Sequence, residues 1–209
     1  MTRMLRTRIC RVLDTQLRNM GFAQFMIWFM KFLYLNDAYY VYKKDIDGRE
    51  SRAVCPETDI EVRKGVMSDL RCGTSSTKGL PWQFFCHEYD GVDDFFIAEK
   101  AGVIQHISWI YYREHTNRIL LLDHGDAEIK HVLTVPDARG RGIWPRVLCA
   151  VFEHLGRNGV KRLFACVLQE NGSSIRAMEK AGFRRVGRTR FVKLCGVRVS
   201  RRTHTALIP

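Results

Sequence analysis

The chain has 209 residues, 46% of them hydrophobic, which suits one domain with an appended segment and excludes general disorder. Its 34 Lys and Arg outnumber 22 Asp and Glu, and the resulting net charge of +12 attracts anions such as nucleic acid, an acidic membrane surface or a polyphosphate. The seven cysteines form no CxxC pair, the histidines lack metal-ligand spacing and no nucleic-acid-binding signature accompanies the charge, so neither a metal nor a specific nucleic acid is expected.

Met4, Leu5, Ile9, Val12, Leu13, Leu17 and Met20 recur at helical spacing, with most of the early arginines off that stripe, which predicts a basic amphipathic helix ending at Gly21. Phe22 to Leu35 follows as an almost wholly apolar and aromatic run. Its fourteen residues would span about 21 Å as a helix, short of the roughly 30 Å hydrocarbon core, so it is not expected to cross a bilayer. Two readings of residues 1–36 stay open. The segment lies on a membrane surface, arginines beside Trp28, Phe29, Phe32 and Tyr34, or it packs on the domain or in a homodimer interface. Free thiols and the lack of a signal peptide fit the cytoplasm, at the inner face of a membrane under the first reading.

Ala38 to Ile46 has strand composition and Asp47-Gly48 makes a turn. A further strand is expected over Asp59–Lys64, a short helix over Val66–Cys72 and a mobile loop over 73–79. His87 to Asp94 concentrates acidic residues and reads as a solvated loop, with attraction of a cationic amine as the alternative. Phe95–Glu99 and Gly102–Tyr112 form a hairpin, and Ile119–Leu122 with Ala127–Val135 a second strand pair. A helix over Gly142–Leu155 turns Val147, Leu148, Val151, Phe152 and Leu155 inward, with Pro145 in its first turn. Lys161–Gln169 is a strand, Ser173–Ala181 a helix stopped by Gly182, and Arg184–Leu194 with Val197–Arg201 a closing hairpin. Cys149 and Cys166 lie in apolar runs and read as core fillers.

The strand at 127–135 runs directly into Arg139-Gly140-Arg141-Gly142-Ile143-Trp144, and Asn171-Gly172-Ser173-Ser174 and Ala181-Gly182-Phe183 follow later. Glycines that open a helix let several backbone N–H groups approach a phosphate, and the positive end of the helix favours the anion. A tight turn with solvated arginines is the plainer reading of the short motif alone.

Taken together, Val132 to Ile143 and Asn171 to Phe183 resemble the fourth strand with its pyrophosphate loop, and the later motif, of the GNAT superfamily of acyl-CoA-dependent N-acyltransferases. The resemblance covers about residues 58–200 and is strongest over 127–183. It implies an α/β (α+β) fold with a mixed, partly splayed central sheet flanked by helices. Residues 58–209 would be the acyl-CoA-binding catalytic domain and residues 1–57 a basic, aromatic, helical extension.

It also implies acetyl-CoA, or another acyl-CoA, inserted between strands 127–135 and 161–169. Main chain of Val132, Leu133 and Thr134 would meet the cofactor arm, with the Val132 amide near the thioester oxygen. Main chain of Arg139, Gly140, Arg141, Gly142, Ile143 and Trp144 would hold the diphosphate, and Asn171 and Ser174 would border the arm. For Asn171, helix N-capping is the alternative. Trp144 stands where the family has Gly or Ala, and its backbone contact with the diphosphate survives if the indole points outward.

Glu128 precedes Val132 by four positions, on the same face of a regular strand, and matches a carboxylate some members use as a base, directly or through water. The alternative is a surface carboxylate paired with Lys130 or an arginine. His131 should point to the opposite face. The family's frequent Tyr acid is replaced by Met178, which cannot donate a proton. The implied activity is acetyl transfer to an amine of a small molecule, sugar or lipid-linked precursor, in a ternary complex. Protein lysine or N-terminal acetylation, long-chain N-acylation and an inactive acyl-CoA-binding pseudoenzyme are the alternatives.

Overall fold

The computed structural model describes residues 26, 29, 30, 33–46, 59–70, 81–115, 117–195 and 197–200, together with the backbone of 203–204. The predicted basic helix, most of the apolar run after it, the Asp47-Gly48 turn and the 73–79 loop lie outside these residues. Among the described residues no helix is long and apolar enough to cross a membrane.

In chain order the strands are β1 (Tyr34–Asp45), β2 (Glu61–Lys64), β3 (Phe95–Lys100), β4 (Val103–Tyr111), β5 (Leu120–Leu121), β6 (Asp126–Thr134), β7 (Arg162–Leu168), β8 (Arg184–Leu194), β9 (Val197–Arg198) and β10 (Thr203–His204). Among the described residues the helices with both ends defined are α1 (Cys86–Asp90), preceded by a 3-10 turn at Trp82–Phe85, then α2 (Ile143–Arg157) and α3 (Gly172–Lys180), and residues 26, 29, 30 and 33 are helical as well. One helical turn also forms at 67–70. Eight strands make one sheet in the order β2-β3-β4-β6-β7-β1-β8-β9. Within this sheet only β6 and β7 run parallel; the other neighbours are antiparallel.

The position of β1 departs from expectation. Residues 34–45, placed by sequence in the extension of residues 1–57, run between β7 and β8, with Tyr39 opposite both Leu168 and Thr189. The strand also begins four residues before the predicted start at Ala38. Its burial explains the placement: consecutive Val41 and Tyr42 are both 0% exposed, so side chains on both faces are covered, as in a central strand.

The two faces of the sheet carry different cores. Ile143, Val147, Leu148, Val151 and Leu155 of α2 pack with Met178 of α3 on Phe96, Ile110, Ile129 and Ala165. Burying each of those aliphatic side chains contributes about 1.5–3 kcal/mol. Phe84 and Cys86 cover Phe95, Ile97, Ile107, Trp109 and Tyr111 on the opposite face. A third cluster, with Val41, Ile119, Leu120, Phe164 and Phe191, continues that second face.

Two further expectations are corrected. Leu120–Leu121 does not pair with β6, whose edges are taken by β4 and β7; it pairs in parallel with β10. The acidic stretch His87–Asp94 is not a solvated loop, since α1 takes up its first four residues and the carboxylates of Asp90 and Asp94 are covered. Asp90 accepts from Tyr111 Oη at 2.6 Å and from Asn117 Nδ2, while Asp94 accepts from Tyr112 Oη at 2.5 Å and pairs with Lys64 at 3.1 Å. Phenols and cations from distant strands supply the pairing that solvent was expected to give.

Candidate active site

The parallel ladder between β6 and β7 runs only from Asp126 opposite Arg162 to Ile129 opposite Ala165. Both strands then continue, but with other partners. β6 follows β4, pairing Leu133 with Ile107 and Thr134 with His106, while Leu168 of β7 pairs with Tyr39 of β1. The facing edges therefore part beyond residues 129 and 165.

A bulge drives the parting. Ile107 stands opposite Leu133 and Trp109 opposite Lys130, so two steps along β4 answer three along β6. The extra residue sits by His131, whose φ of 51° is unusual for a side-chain-bearing residue.

The bulge also reverses the side-chain alternation of β6. Ile129 packs toward α2 and α3, yet Leu133, of the same parity, packs on the face of Ile107 and Trp109. Glu128 and Val132 consequently lie on opposite faces, and the expectation that they share one is corrected. The expectation for His131 is reversed as well. Its ring meets the edge of Trp82 at 4.8 Å and of Tyr111 at 5.9 Å, and Nε2 lies 3.9 Å from Asp90 Oδ2, all on the Glu128 face. Burial, with Lys130 and Lys193 adding to it, holds His131 well below the usual imidazole range.

Glu128 is 0% exposed, so it is not the surface carboxylate of the alternative reading. Its Oε2 accepts from the N–H of Ile119 at 3.0 Å and of Leu120 at 3.2 Å. Burial pushes its pKa up, and Lys130 and those amides oppose the shift. Cys166 packs against the third cluster, and burial drives its thiol well above the ordinary value.

Past the wedge, the chain turns through Pro136–Ala138 into the glycine loop. Gly140 has φ 76° and Gly142 φ 70°, and a Cβ on either would meet nothing within 4 Å. Backbone angle, not crowding, requires glycine here. Gly142 is the N-cap of α2 and provides no side-chain cap, so the first amides of the helix look outward.

The expected loop contacts divide. The Arg139 amide is used on Pro136 O, and its Nε donates to the Thr134 carbonyl at 3.1 Å, so both are committed within the protein. Val132 is 36% exposed, whereas Leu133 and Ile143 pack into the cores. Trp144 does not point outward. Its indole packs against the α2 core and tilts on His106, because the first turn of α2 lies directly against the sheet.

Asn171 N-caps α3: its Oδ1 accepts from the Ser174 N–H at 3.1 Å and from Ser173 Oγ at 2.8 Å. Met178 is 6% exposed, a core residue rather than a group facing a ligand. Among the described residues no group of three or more His, Cys, Asp or Glu is placed to hold a metal ion.

Parted strand edges offer main-chain groups to the amides of a pantetheine arm, and the outward amides from Gly140 to Trp144 suit a diphosphate. The residues present thus fit a coenzyme A thioester. Sequence missed the strand bulge, the face of His131 and the part played by β1. The apolar and aromatic run Ala38–Tyr42 was the signal for β1; nothing in the sequence marks the bulge.

The family model for the GNAT acetyltransferase domain matches residues 64–184. No curated protein sequence is similar enough to count as a match. Among solved structures, a GCN5-related N-acetyltransferase from Sphaerobacter thermophilus is 17% identical with TM-score 0.55, over 87% of this chain and 58% of that one. An acetyltransferase from the GNAT family of Colwellia psychrerythraea is 15% identical with TM-score 0.51, over 74% of this chain and 55% of that one. A glucosamine N-acetyltransferase region in a fungal multi-domain β-N-acetylglucosaminidase is 14% identical with TM-score 0.54, over 81% of this chain and 22% of that one. The chain thus spans less than two thirds of each of these proteins, and at such identities they share its fold alone. On the family match, the chain belongs to the GNAT acetyltransferase family.

Proposed function

We propose that this chain is an N-acetyltransferase that moves the acetyl group of acetyl-CoA to an amine of a small molecule, sugar or lipid-linked precursor, in a ternary complex. The observation that carries this reading is the parting of β6 from β7 immediately before a loop with two left-handed glycines. Bound there, acetyl-CoA supplies an electrophilic carbonyl and a thiolate leaving group.

The protein's own contribution is mostly main chain. The Val132 amide, at the bulge, is the donor assigned to negative charge developing on the acyl oxygen. Amides from Gly140 to Trp144 and the dipole of α2 take the diphosphate charge. Asn171 and Ser174 hold the start of α3 in place beside the arm.

The amine must lose a proton before it attacks. Glu128 is assigned that role through an intervening water, since its own oxygens are covered by the amides of Ile119 and Leu120. Its raised pKa brings a carboxylate closer to the range useful for a base at neutral pH. Trp82 and His131 line the same face as the approach for the acceptor.

Calorimetry with acetyl-CoA, followed by CoA-release assays against amino-sugars, small amines and peptides, tests the proposal. Binding with release on a small amine is the expected result. No heat from folded protein with any CoA thioester sinks it, and release on peptides alone replaces the acceptor class.

A further inference from the structure

Trp144 Nε1, His106 Nε2 and Ser108 Oγ are buried and have no hydrogen-bond partner within the protein. Buried polar atoms in native proteins are nearly always paired, and ordered water serves those that side chains cannot reach. Here two of the three belong to rings in contact. The centroids of His106 and Trp144 are 5.6 Å apart and the planes tilt by 31°. Two hydrogen bonds of about 2.9 Å meeting at a tetrahedral oxygen span about 4.7 Å, shorter than the distance between the two ring centres. Ser108 stands two residues along β4 from His106, on the same face, and can supply a third partner.

The other nitrogen of His106 is already engaged, since Nδ1 lies 2.7 Å from Thr134 Oγ1. Thr134 ends β6, beyond the point where that strand leaves β7. Trp144 belongs to the first turn of α2, next to the loop glycines. His106, 0% exposed, therefore touches both the strand that borders the wedge and the helix that begins at the loop. A neutral imidazole has one donor and one acceptor nitrogen, so either tautomer can bond the Thr134 hydroxyl and a water together.

We propose that one buried water joins Trp144 Nε1 to His106 Nε2, and that the resulting chain from Trp144 through His106 to Thr134 ties the phosphate loop to the wedge. His106 and Trp144 are then positioning residues. They set the distance between the amides that take the diphosphate and the strand edge that takes the pantetheine. The residue that departs from the family's small side chain would thus replace flexibility at the helix start with a fixed polar link. This inference rests on the reading that a CoA thioester binds here.

Two experiments decide it. A high-resolution crystal structure of the full chain should show an oxygen within about 3.2 Å of both Trp144 Nε1 and His106 Nε2. A dry gap between the two nitrogens overturns the proposal, whatever the variants do. Calorimetry then compares CoA with pantetheine, which lacks the diphosphate, for the wild type, Trp144→Phe, His106→Asn and the double variant. Each single change should weaken CoA about fivefold to tenfold and leave pantetheine unaltered, and the double variant should be no weaker than either single. Equal losses for both ligands, or losses that multiply in the double variant, overturn the positioning role. If the wild type shows no heat with CoA, the acetyltransferase reading fails instead, and the crystal density still decides the water link.

Discussion

Glu128 and Val132, four positions apart on one strand, face opposite sides of the sheet because the bulge at His131 lies between them. The carboxylate faces the backbone of residues 119 and 120, and the amide it was expected to accompany belongs to the wedge. Glu128→Ala should therefore act first on structure. It leaves two buried N–H groups without an acceptor and opens a cavity, at about 2–4 kcal/mol together. Chemical denaturation measures that loss, and amide exchange at Ile119 and Leu120 should accelerate. An unchanged midpoint with slow exchange at both amides contradicts the contact.

Asn171 offers a separation of two roles. Its side chain caps α3 through the Ser174 N–H, and the family resemblance also places it by the cofactor arm. Asn171→Asp keeps an accepting oxygen at the cap, so stability should stay within about 0.5 kcal/mol, whereas Asn171→Ala should cost about 1 kcal/mol. A cofactor contact through the amide predicts that both variants bind CoA more weakly, by calorimetry. If Asn171→Asp binds as the wild type does, the residue is a cap and nothing more.

Burial lowers the His106 pKa to about 3, and the consequence for stability has a definite sign. An unfolded His titrates near 6.5, so between that value and about 3 the unfolded chain binds the extra proton. The contribution of a neutral His106 is complete above 6.5 and is lost as pH falls through this window. Between about pH 7.5 and 5 the loss should be about 2 kcal/mol. His106→Asn removes the proton site, so unfolding curves for the variant should show that much less acid sensitivity than the wild type. Parallel pH profiles for the two proteins would show that His106 is accessible to protons in the fold.

Some of this architecture could be read from residues alone. Gly140, Gly142, Pro145 and Gly182 mark helix boundaries by local backbone rules, and those boundaries hold to within about two residues. What eluded the sequence depends on partners far along the chain. Asp90 and Asp94 look like solvent-exposed acids until Tyr111, Asn117 and Tyr112 arrive from β4 and its following loop. The bulge at His131 arises from pairing with β4, and no residue type announces it. Ala38–Tyr42 did carry a legible signal, a run without polar alternation, and its place between β7 and β8 follows from the need to cover both faces.

That placement makes a truncation prediction. Removing residues 1–45 deletes β1, leaving β7 and β8 without the strand that pairs with each, so no cooperative thermal transition is expected. Removing residues 1–28 spares β1 entirely, and circular dichroism should still record a cooperative melt. A native-like melt after the longer deletion would mean that β7 and β8 pair without β1.

Gly65 tests how tightly the α1 face is packed. It follows β2 and donates its N–H to the Phe95 carbonyl at 2.8 Å, bringing the backbone down onto the Phe95 ring. A Cβ at position 65 would fall 2.0 Å from Phe95 Cε2 and 2.5 Å from Cδ2. That ring cannot swing away, being 0% exposed and lodged 4.7 Å from Trp109. Gly65→Ala should cost about 1–3 kcal/mol by overpacking. Phe95→Leu alone also destabilises by loss of core volume, yet it removes the aromatic edge that blocks the methyl. The double variant should accordingly be more stable than the sum of the single losses predicts, by about 1 kcal/mol. Additive losses in denaturant titrations would show that the strain at Gly65 comes from a group other than Phe95.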